Sequence, residues 1–112
     1  MQYLLIISHN DSFTPIERLL KDIVSWNKKM DRRGIRVYGN PLRPPADATT
    51  VRVRKGKVVL TNGPFAKSRE KMSAYELIEC ANSEEAIDVA SQHPMAKVAT
   101  IEVRPIWNDL AK

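Results

Sequence analysis

Three side chains of this sequence could carry protons in a reaction: His9, Tyr75 and Glu76. His9 directly follows an apolar strand and lies close to Asp11, which could orient an imidazole that acts as an acid or a base. An ordinary polar surface loop explains His9 and Asp11 equally well. Tyr75 and Glu76 are neighbours in a predicted strand, so their side chains point to opposite faces of its sheet. A cavity on one face would therefore contain only one of these two groups.

A second set of residues could bind a small ligand: Arg52, Asn62, Phe65 and Tyr75. Arg52 could bind an anionic ligand through two hydrogen bonds, although a surface ladder of ion pairs across neighbouring strands explains this arginine equally well. Asn62 and Phe65 belong to an Asn-Gly-Pro-Phe run, which predicts a tight turn because Gly permits positive φ and Pro fixes φ. Tyr75 would supply a hydrogen-bonding group if its face lined an apolar cavity.

Neither a metal nor a cofactor is predicted. The two histidines, His9 and His93, are far apart, and the single cysteine, Cys80, completes no metal-ligand pattern with them. The sequence also contains no glycine-rich phosphate loop, serine elbow or dinucleotide fingerprint. We expect Cys80 to be a small buried hydrophobe rather than a nucleophile, and His93 to be a cationic residue at the negative end of a helix dipole.

Composition and charge describe one ordinary globular domain. The chain has 112 residues, 43% of them hydrophobic, and a net charge of +5. The basic residues near Arg52 alternate with valines, as on the wet face of a strand, and no aromatic residues interleave with them for base stacking, so we expect no nucleic-acid partner. No apolar run approaches the roughly 18–20 residues that span a membrane. One cysteine cannot form an internal disulfide, which favours a cytoplasmic location.

The first long helix has clear predicted ends. Thr14 and Glu17 form a capping-box pattern, with Pro15 at the first helical position, and Gly34 follows the last helical residue. Apolar residues recur between them at helical spacing. The one polar break in that apolar stripe is Asn27.

The other elements follow from alternating apolar residues and turn signals. A proline-rich stretch over residues 39–47 is predicted to be irregular, and a second helix begins at the cap Asn82 and ends at Pro94. The predicted strands cover residues 2–8, 35–38, 51–54, 57–60, 73–80 and 98–103.

This order predicts an α+β fold of the ferredoxin-like type: two β-α-β halves, with a β-hairpin inserted between them. Both helices then cover one face of a single sheet, and the other face is left open. A domain of this size cannot expose a large apolar sheet face to water, so we expect a homodimer in which two sheets enclose a shared interior, a dimeric α+β barrel.

Several short motifs occur in an order and spacing that resemble the YCII-related, DGPF-domain family over nearly the whole chain. They are Leu42-Arg43-Pro44-Pro45-Ala46, Thr50-Val51-Arg52-Val53-Arg54, Gly63-Pro64-Phe65, the strand Tyr75 to Glu79, Glu84-Glu85-Ala86, Pro94 and Ile101-Glu102-Val103-Arg104-Pro105. The resemblance implies a dimeric α+β barrel. It also implies a possible link with extracytoplasmic-function sigma factors as partners.

The chain departs from the family pattern at three places. Asn62 replaces the signature Asp, which removes an ionisable carboxylate but keeps a side chain that can brace the turn. Met72-Ser73-Ala74 stands where the family usually has two glycines. Some distant relatives are thought to use a His–Asp pair with the His on the first helix, and this helix has no histidine. The resemblance therefore does not transfer that mechanism.

Three functional hypotheses follow. The first is a homodimeric barrel that binds a small molecule. The second is an enzyme of the acid/base lyase or hydrolase type, with His9, Tyr75 or Glu76 as proton carriers. The third is a protein-protein regulatory module linked to sigma factors, which an exposed apolar patch around Ile106 and Trp107 would favour.

Overall fold

A computed structural model describes residues 1–108 and residue 110. These residues form six strands and three helices, with a short 3-10 turn at Pro45–Asp47. In chain order the elements are β1 (Gln2–His9), α1 (Glu17–Arg32), β2 (Arg36–Pro41), β3 (Thr49–Arg54), β4 (Lys57–Asn62), β5 (Lys71–Glu79), α2 (Ser83–Ser91), α3 (Met95–Val98) and β6 (Thr100–Pro105). None of the helices in this part of the chain is long and apolar enough to cross a membrane.

Four strands form one antiparallel sheet in the order β2-β5-β1-β6. The two β-α-β halves, β1-α1-β2 and β5-α2-β6, therefore interlock in the sheet. Their first strands, β1 and β5, are neighbours in the centre, and their last strands, β2 and β6, are at the edges. Strands β3 and β4 pair only with each other and form a separate two-stranded sheet. This arrangement confirms the predicted ferredoxin-like α+β class with an inserted hairpin.

The helix-covered face of the sheet contains the main core. Tyr3, Leu5 and Ile7 of β1 alternate with less buried neighbours, as the two-residue period of a strand requires. Tyr3 and Leu5 pack in one cluster with side chains from the helices, where the indole N–H of Trp26 donates to the carbonyl of Val89 at 3.2 Å. This bond joins α1 to α2.

None of the three described helices covers the opposite face of the sheet. Leu4 and Ile6 lie on it and pair with Leu77 and Tyr75 of β5. All four side chains are half-buried in the single chain. This surface is called the open face below.

The start of α1 differs from the prediction. The helix begins at Glu17, its N-cap is Ile16 in an extended conformation, and no side chain caps it. The capping box predicted from Thr14 therefore does not form. The predicted end is confirmed, because Gly34 has φ of +71° and the N–H of Ile35 donates to the carbonyl of Met30 at 2.9 Å. The cap of α2 is also confirmed, since Asn82 Oδ1 accepts from the N–H of Glu85 at 2.9 Å.

Each of the six strands differs from its predicted bounds at one or both ends, by one to three residues. Residues 39–41 continue β2, although they were predicted to be irregular, and Pro41 is tolerated because β2 lies at an edge of the sheet. Val98 ends the short helix α3, and the last strand begins only at Thr100. The second helix ends at Ser91, three residues before the predicted end at Pro94, and Pro94 is the N-cap of α3.

The inserted hairpin turns at Lys55 and Gly56, which have φ of +53° and +77°. Positive φ at both central residues is the geometry of a type I′ turn, whose twist matches that of paired strands. The predicted hairpin is confirmed and is longer than expected at both ends.

Candidate functional site

A cavity of about 430 Å³ lies between α1 and the helix-covered face of the sheet. Its volume is within the range of small-ligand pockets, and most of its wall is apolar. The polar residues of the wall are His9, Asn27, Arg36, Asn40, Ser73, Glu76 and His93. Its apolar residues include Ile7, Phe13, Leu19, Ile23 and Met95.

A buried ion pair lies in the wall of this cavity. Arg36 Nε donates to Glu76 Oε2 at 2.7 Å, and Glu76 is only 5% exposed. Arg36 also donates to the carbonyl of Gly39 at 2.9 Å and lies 3.5 Å from a carboxylate oxygen of Asp31. The guanidinium is thus held by three acceptors, and one of them is the only buried carboxylate in the described part of the chain.

A β-bulge in β2 makes room for this pair. The register pairs Arg36 with Ile78 and then Tyr38 with Leu77, so Val37 is the extra residue. Because of that extra residue Gly39, rather than Tyr38, lies opposite Glu76. Glycine has no Cβ, and the carboxylate of Glu76 fills the space that a side chain would need.

Burial and pairing act in opposite directions on the two ionisable groups. Desolvation raises the pKa of Glu76, and this effect exceeds the lowering caused by its hydrogen bond and attraction to Arg36. Desolvation alone would lower the pKa of Arg36, but the hydrogen bonds and attraction to Glu76 and Asp31 raise it overall. Glu76 is thus a carboxyl group at a cavity wall whose protonated form is favoured more than in water.

The amide of Asn27 has an unmet hydrogen-bond requirement. Its Oδ1 is inaccessible to solvent and has no hydrogen-bond partner within the described residues. A buried polar atom without a partner costs free energy, so native proteins seldom keep one without a reason. The sequence contained a signal for this residue, since Asn27 is the polar break in an otherwise apolar stripe.

His93 is buried and neutral, which corrects the predicted cationic role at a helix end. Desolvation lowers its pKa to about 4. Its Nδ1 accepts from the N–H of Met95 at 3.0 Å, so in the neutral ring the proton is on Nε2. Its ring packs edge-on against Trp26, with centroids 4.6 Å apart. The burial that removes the charge also makes His93 part of the cavity wall.

His9 also lines this cavity and is half-buried. Its ring stacks at 4.5 Å on Phe13, and its Nδ1 lies 2.9 Å from the carbonyl oxygen of Asn10, to which it donates. Asp11 makes no hydrogen bond to His9 among the described residues. The structure thus brings His9 and Glu76 to one cavity without the predicted orienting carboxylate.

Tyr75 lies on the other side of the sheet. It is on the open face, where its ring is 6.2 Å from that of Tyr38 and its hydroxyl is 3.5 Å from Asn40 Nδ2. The alternation of side chains along β5 therefore separates Tyr75 from Glu76, and the three candidate proton carriers do not form one site.

The remaining predicted ligand residues lie away from this cavity. Asn62 is exposed, and its side chain makes no hydrogen bond to the described residues. The turn is held instead by the N–H of Gly63, which donates to Ala48 at 2.7 Å, and by Thr50 Oγ1, which donates to the carbonyl of Gly63 at 2.7 Å. Arg52 is half-buried on β3.

Phe65 borders a second concavity of about 690 Å³ on the open-face side. The phenyl ring is 73% exposed. Its neighbours in this concavity include Ile6, Leu42 and Met72. This surface is separate from the cavity under α1, since the sheet lies between them.

Cys80 is a buried thiol just after the end of β5. The thiol is buried, and desolvation raises its pKa to about 11, so it remains a neutral thiol at neutral pH. This confirms the expected role as a small hydrophobe. The described residues contain no group of three or more His, Cys, Asp or Glu that could hold a metal ion.

Comparison with known proteins identifies the family of this chain. A family model described as the YCII-related domain matches residues 1–108. The chain belongs to the YCII-related family. One relative of this YCII-related chain is an uncharacterized protein of Rhizobium meliloti (strain 1021). The two sequences are 33% identical over 92 residues, which cover 80% of this chain and 74% of the relative. The resemblance inferred from the sequence motifs is confirmed.

Proposed function

We propose that this YCII-related chain is a homodimeric small-molecule-binding protein whose ligand lies in the cavity between α1 and the sheet. The observation that carries the proposal is the combination of a cavity of about 430 Å³ with a buried ion pair and an unsatisfied amide in its wall. Buried polar groups in an apolar wall are costly to a fold and are typical of sites that orient a ligand.

The charges in the wall limit the chemistry of the ligand. Arg36 is already held by Glu76, Asp31 and Gly39, so the pair offers little uncompensated positive charge to an anion. Glu76 keeps a second carboxylate oxygen that can accept a hydrogen bond, and Asn27 lacks a donor for its oxygen. The site therefore favours an uncharged, mainly apolar molecule that carries one or more hydroxyl or N–H groups.

The open face supports the dimer in this proposal. Leu4, Ile6 and Leu77 are only half-buried there, beside the exposed ring of Tyr38. Two such faces brought together by a two-fold axis would bury these side chains in both copies. The sheets would then enclose an interior that contains Tyr75.

A second candidate function, proton transfer to or from a bound molecule, is favoured by one observation. The pKa of Glu76 is raised by burial, and shifted carboxyl groups in concave sites are typical of acid or base catalysts. Glu76 would accept a proton from the ligand or return it, and His9 at the same cavity would exchange protons with solvent. Product formation, rather than binding, distinguishes this alternative.

The test is a thermal-shift screen with small alcohols, phenols and amides, run on the wild type and on two neighbouring variants. Glu76→Gln removes the carboxylate acceptor with little change in shape, and Tyr75→Phe removes the hydroxyl on the opposite face. A ligand at about 100 times its dissociation constant adds roughly 2.7 kcal/mol, which raises the midpoint by several degrees.

We expect hits in the wild type and in Tyr75→Phe, and their loss or at least tenfold weakening in Glu76→Gln. Hits that disappear only in Tyr75→Phe would place the ligand on the open face and overturn the proposed site. A screen without hits would overturn small-molecule binding of this chemical class.

A further inference from the structure

The inserted hairpin presents an apolar surface that no other described residue of the single chain covers. In the register of β3 and β4, Val51 pairs with Leu60 and Val53 pairs with Val58, so these four side chains share one face. They are 61%, 65%, 58% and 66% exposed in that order. This two-stranded unit is called the ribbon, and the four residues are its apolar face.

The other face of the ribbon is suited to water. It carries Thr50, Arg52 and Arg54 from β3, with Lys57, Val59 and Thr61 from β4, so Val59 is the one large apolar side chain among polar and basic ones. The ribbon is therefore amphipathic: its basic side can remain hydrated while its apolar side is buried. A two-stranded hairpin is marginally stable alone in water, and packing of one face is the usual source of its stability.

The shape of the chain shows how much surface is available for such packing. The radius of gyration is 15.9 Å, whereas about 13 Å is expected for a compact chain of 112 residues. The chain exposes 8249 Å² of surface, against about 6200 Å² for a compact monomer of 12.7 kDa. The excess of roughly 2000 Å² is more than the 800 Å² or so that each partner contributes to a standard interface.

The root of the ribbon, which is the end at Thr49 and Asn62 where the ribbon joins the rest of the chain, lies on the side of the sheet where a second copy is expected. The turn that follows β4, with Pro64 and Phe65, borders the same concavity as Ile6 and Ser8 of the open face. The hydrogen bonds of Gly63 to Ala48 and of Thr50 to Gly63 fix this root. A ribbon anchored there extends beside any molecule that covers the open face.

We propose that the ribbon is a dimerisation arm whose apolar face packs against a second copy of this chain. The inference rests on the homodimer of the proposed function and adds the contact that secures it. A two-fold axis makes the contact occur twice, since each copy both extends an arm and receives one. The excess surface of the single chain is of the size that such a reciprocal contact buries.

The test compares two adjacent valines of β4 by sedimentation velocity over a range of protein concentrations. Val58→Asp places a charge on the apolar face. Val59→Asp places the same charge one residue along, on the basic face opposite Arg52. Both side chains are exposed in the single chain, at 66% and 43%, so both variants should fold, which far-UV circular dichroism checks.

We expect the wild type to be a dimer, the dimer dissociation constant to rise at least 100-fold in Val58→Asp, and the same constant to change by less than threefold in Val59→Asp. Hydrogen exchange of the wild type gives a second measurement, in which the amides of β3 and β4 become more protected as concentration passes the dissociation constant.

Dimerisation of Val58→Asp at wild-type affinity would overturn the arm while leaving the dimer. A wild type that remains monomeric at every concentration would overturn the arm and the dimer together, and it would make another protein the occupant of the ribbon. Neither result affects the ligand cavity, which the Glu76→Gln comparison tests separately.

Discussion

The carboxylate of Glu76 occupies the space that a side chain at position 39 would need. A Cβ placed on Gly39 would lie 1.8 Å from Glu76 Oε2 and 2.3 Å from its carboxyl carbon. Gly39 has no positive φ, so the glycine is required for space rather than for backbone conformation. The ion pair at the cavity and the glycine on the neighbouring strand are thus one structural unit.

We predict that Gly39→Ala destabilises the protein by about 3 kcal/mol, because the methyl group must displace a buried carboxylate from its arginine. Urea unfolding followed by circular dichroism measures this change. The same substitution in a Glu76→Ala background should cost less than about 1 kcal/mol, since the clashing atoms are gone. Equal costs in the two backgrounds would show that the alanine acts on the backbone and not through Glu76.

Asn27→Leu should make the protein more stable and its cavity less able to bind. Replacing an amide whose buried oxygen has no partner removes a cost of about 1–3 kcal/mol, while a ligand loses one polar contact. Urea unfolding gives the stability, and titration with a hit from the thermal-shift screen gives the affinity.

The control for this prediction is Ser25→Leu on an exposed position of the same helix, which corrects for the greater helix propensity of leucine. The Asn27→Leu protein should have a larger free energy of unfolding than Ser25→Leu and should bind the hit from the thermal-shift screen more weakly. A less stable Asn27→Leu protein would show that the amide finds partners that this structure does not contain.

Sequence patterns predicted the order of elements along the chain and their approximate positions, because alternation and turn residues are local signals. Asn82 and Gly34 act as expected for that reason. The start of α1 was missed because the pattern at Thr14 is compatible with a cap but the chain remains extended through Ile16. Such a choice depends on how the loop meets the rest of the fold.

The candidate site was predictable only in parts. Glu76 and His9 were named as candidate proton carriers and both line the cavity, and alternation correctly separated Glu76 from Tyr75. The partner Arg36 was missed, because its approach to Glu76 depends on the bulge at Val37, which no local pattern indicates. His93 was predicted to be charged, since its sequence position at a helix end gave no sign of its burial against Trp26.

The burial of His93 predicts a pH dependence of folding. Its pKa is about 4 in the folded chain and about 6.5 in the unfolded chain, so between these values the unfolded state binds more protons. Stability from this residue is complete above pH 6.5 and is lost as the pH falls towards 4, by an amount on the order of 3 kcal/mol. Glu76, whose folded pKa is raised, acts in the opposite direction and weakens the folded state as the pH rises above its unfolded pKa.

His93→Asn isolates this contribution, because the asparagine oxygen can still accept from the N–H of Met95. Urea unfolding of both proteins at pH 7, 6, 5 and 4 gives the difference between their stabilities, in which Glu76 and the other acids cancel. We expect the variant to be less stable at pH 7 and the gap to narrow by up to about 3 kcal/mol towards pH 4. A gap that is constant with pH would show that His93 is accessible to protons in the folded state.

Asn62 provides a test of whether the family's signature Asp has a role in this chain. The turn at this position is held by Thr50 and Gly63, while the side chain of Asn62 is exposed and makes no hydrogen bond to the described residues. Asn62→Asp should therefore change the free energy of unfolding by less than about 0.5 kcal/mol and leave ligand affinity unchanged. Thr50→Val, which keeps the side-chain shape but removes the hydroxyl donor, should cost about 1 kcal/mol by the same urea measurement. A marked gain in stability or affinity on Asn62→Asp would instead show that a carboxylate at this position braces the turn or reaches the ligand, and that this chain has lost a group its site can use.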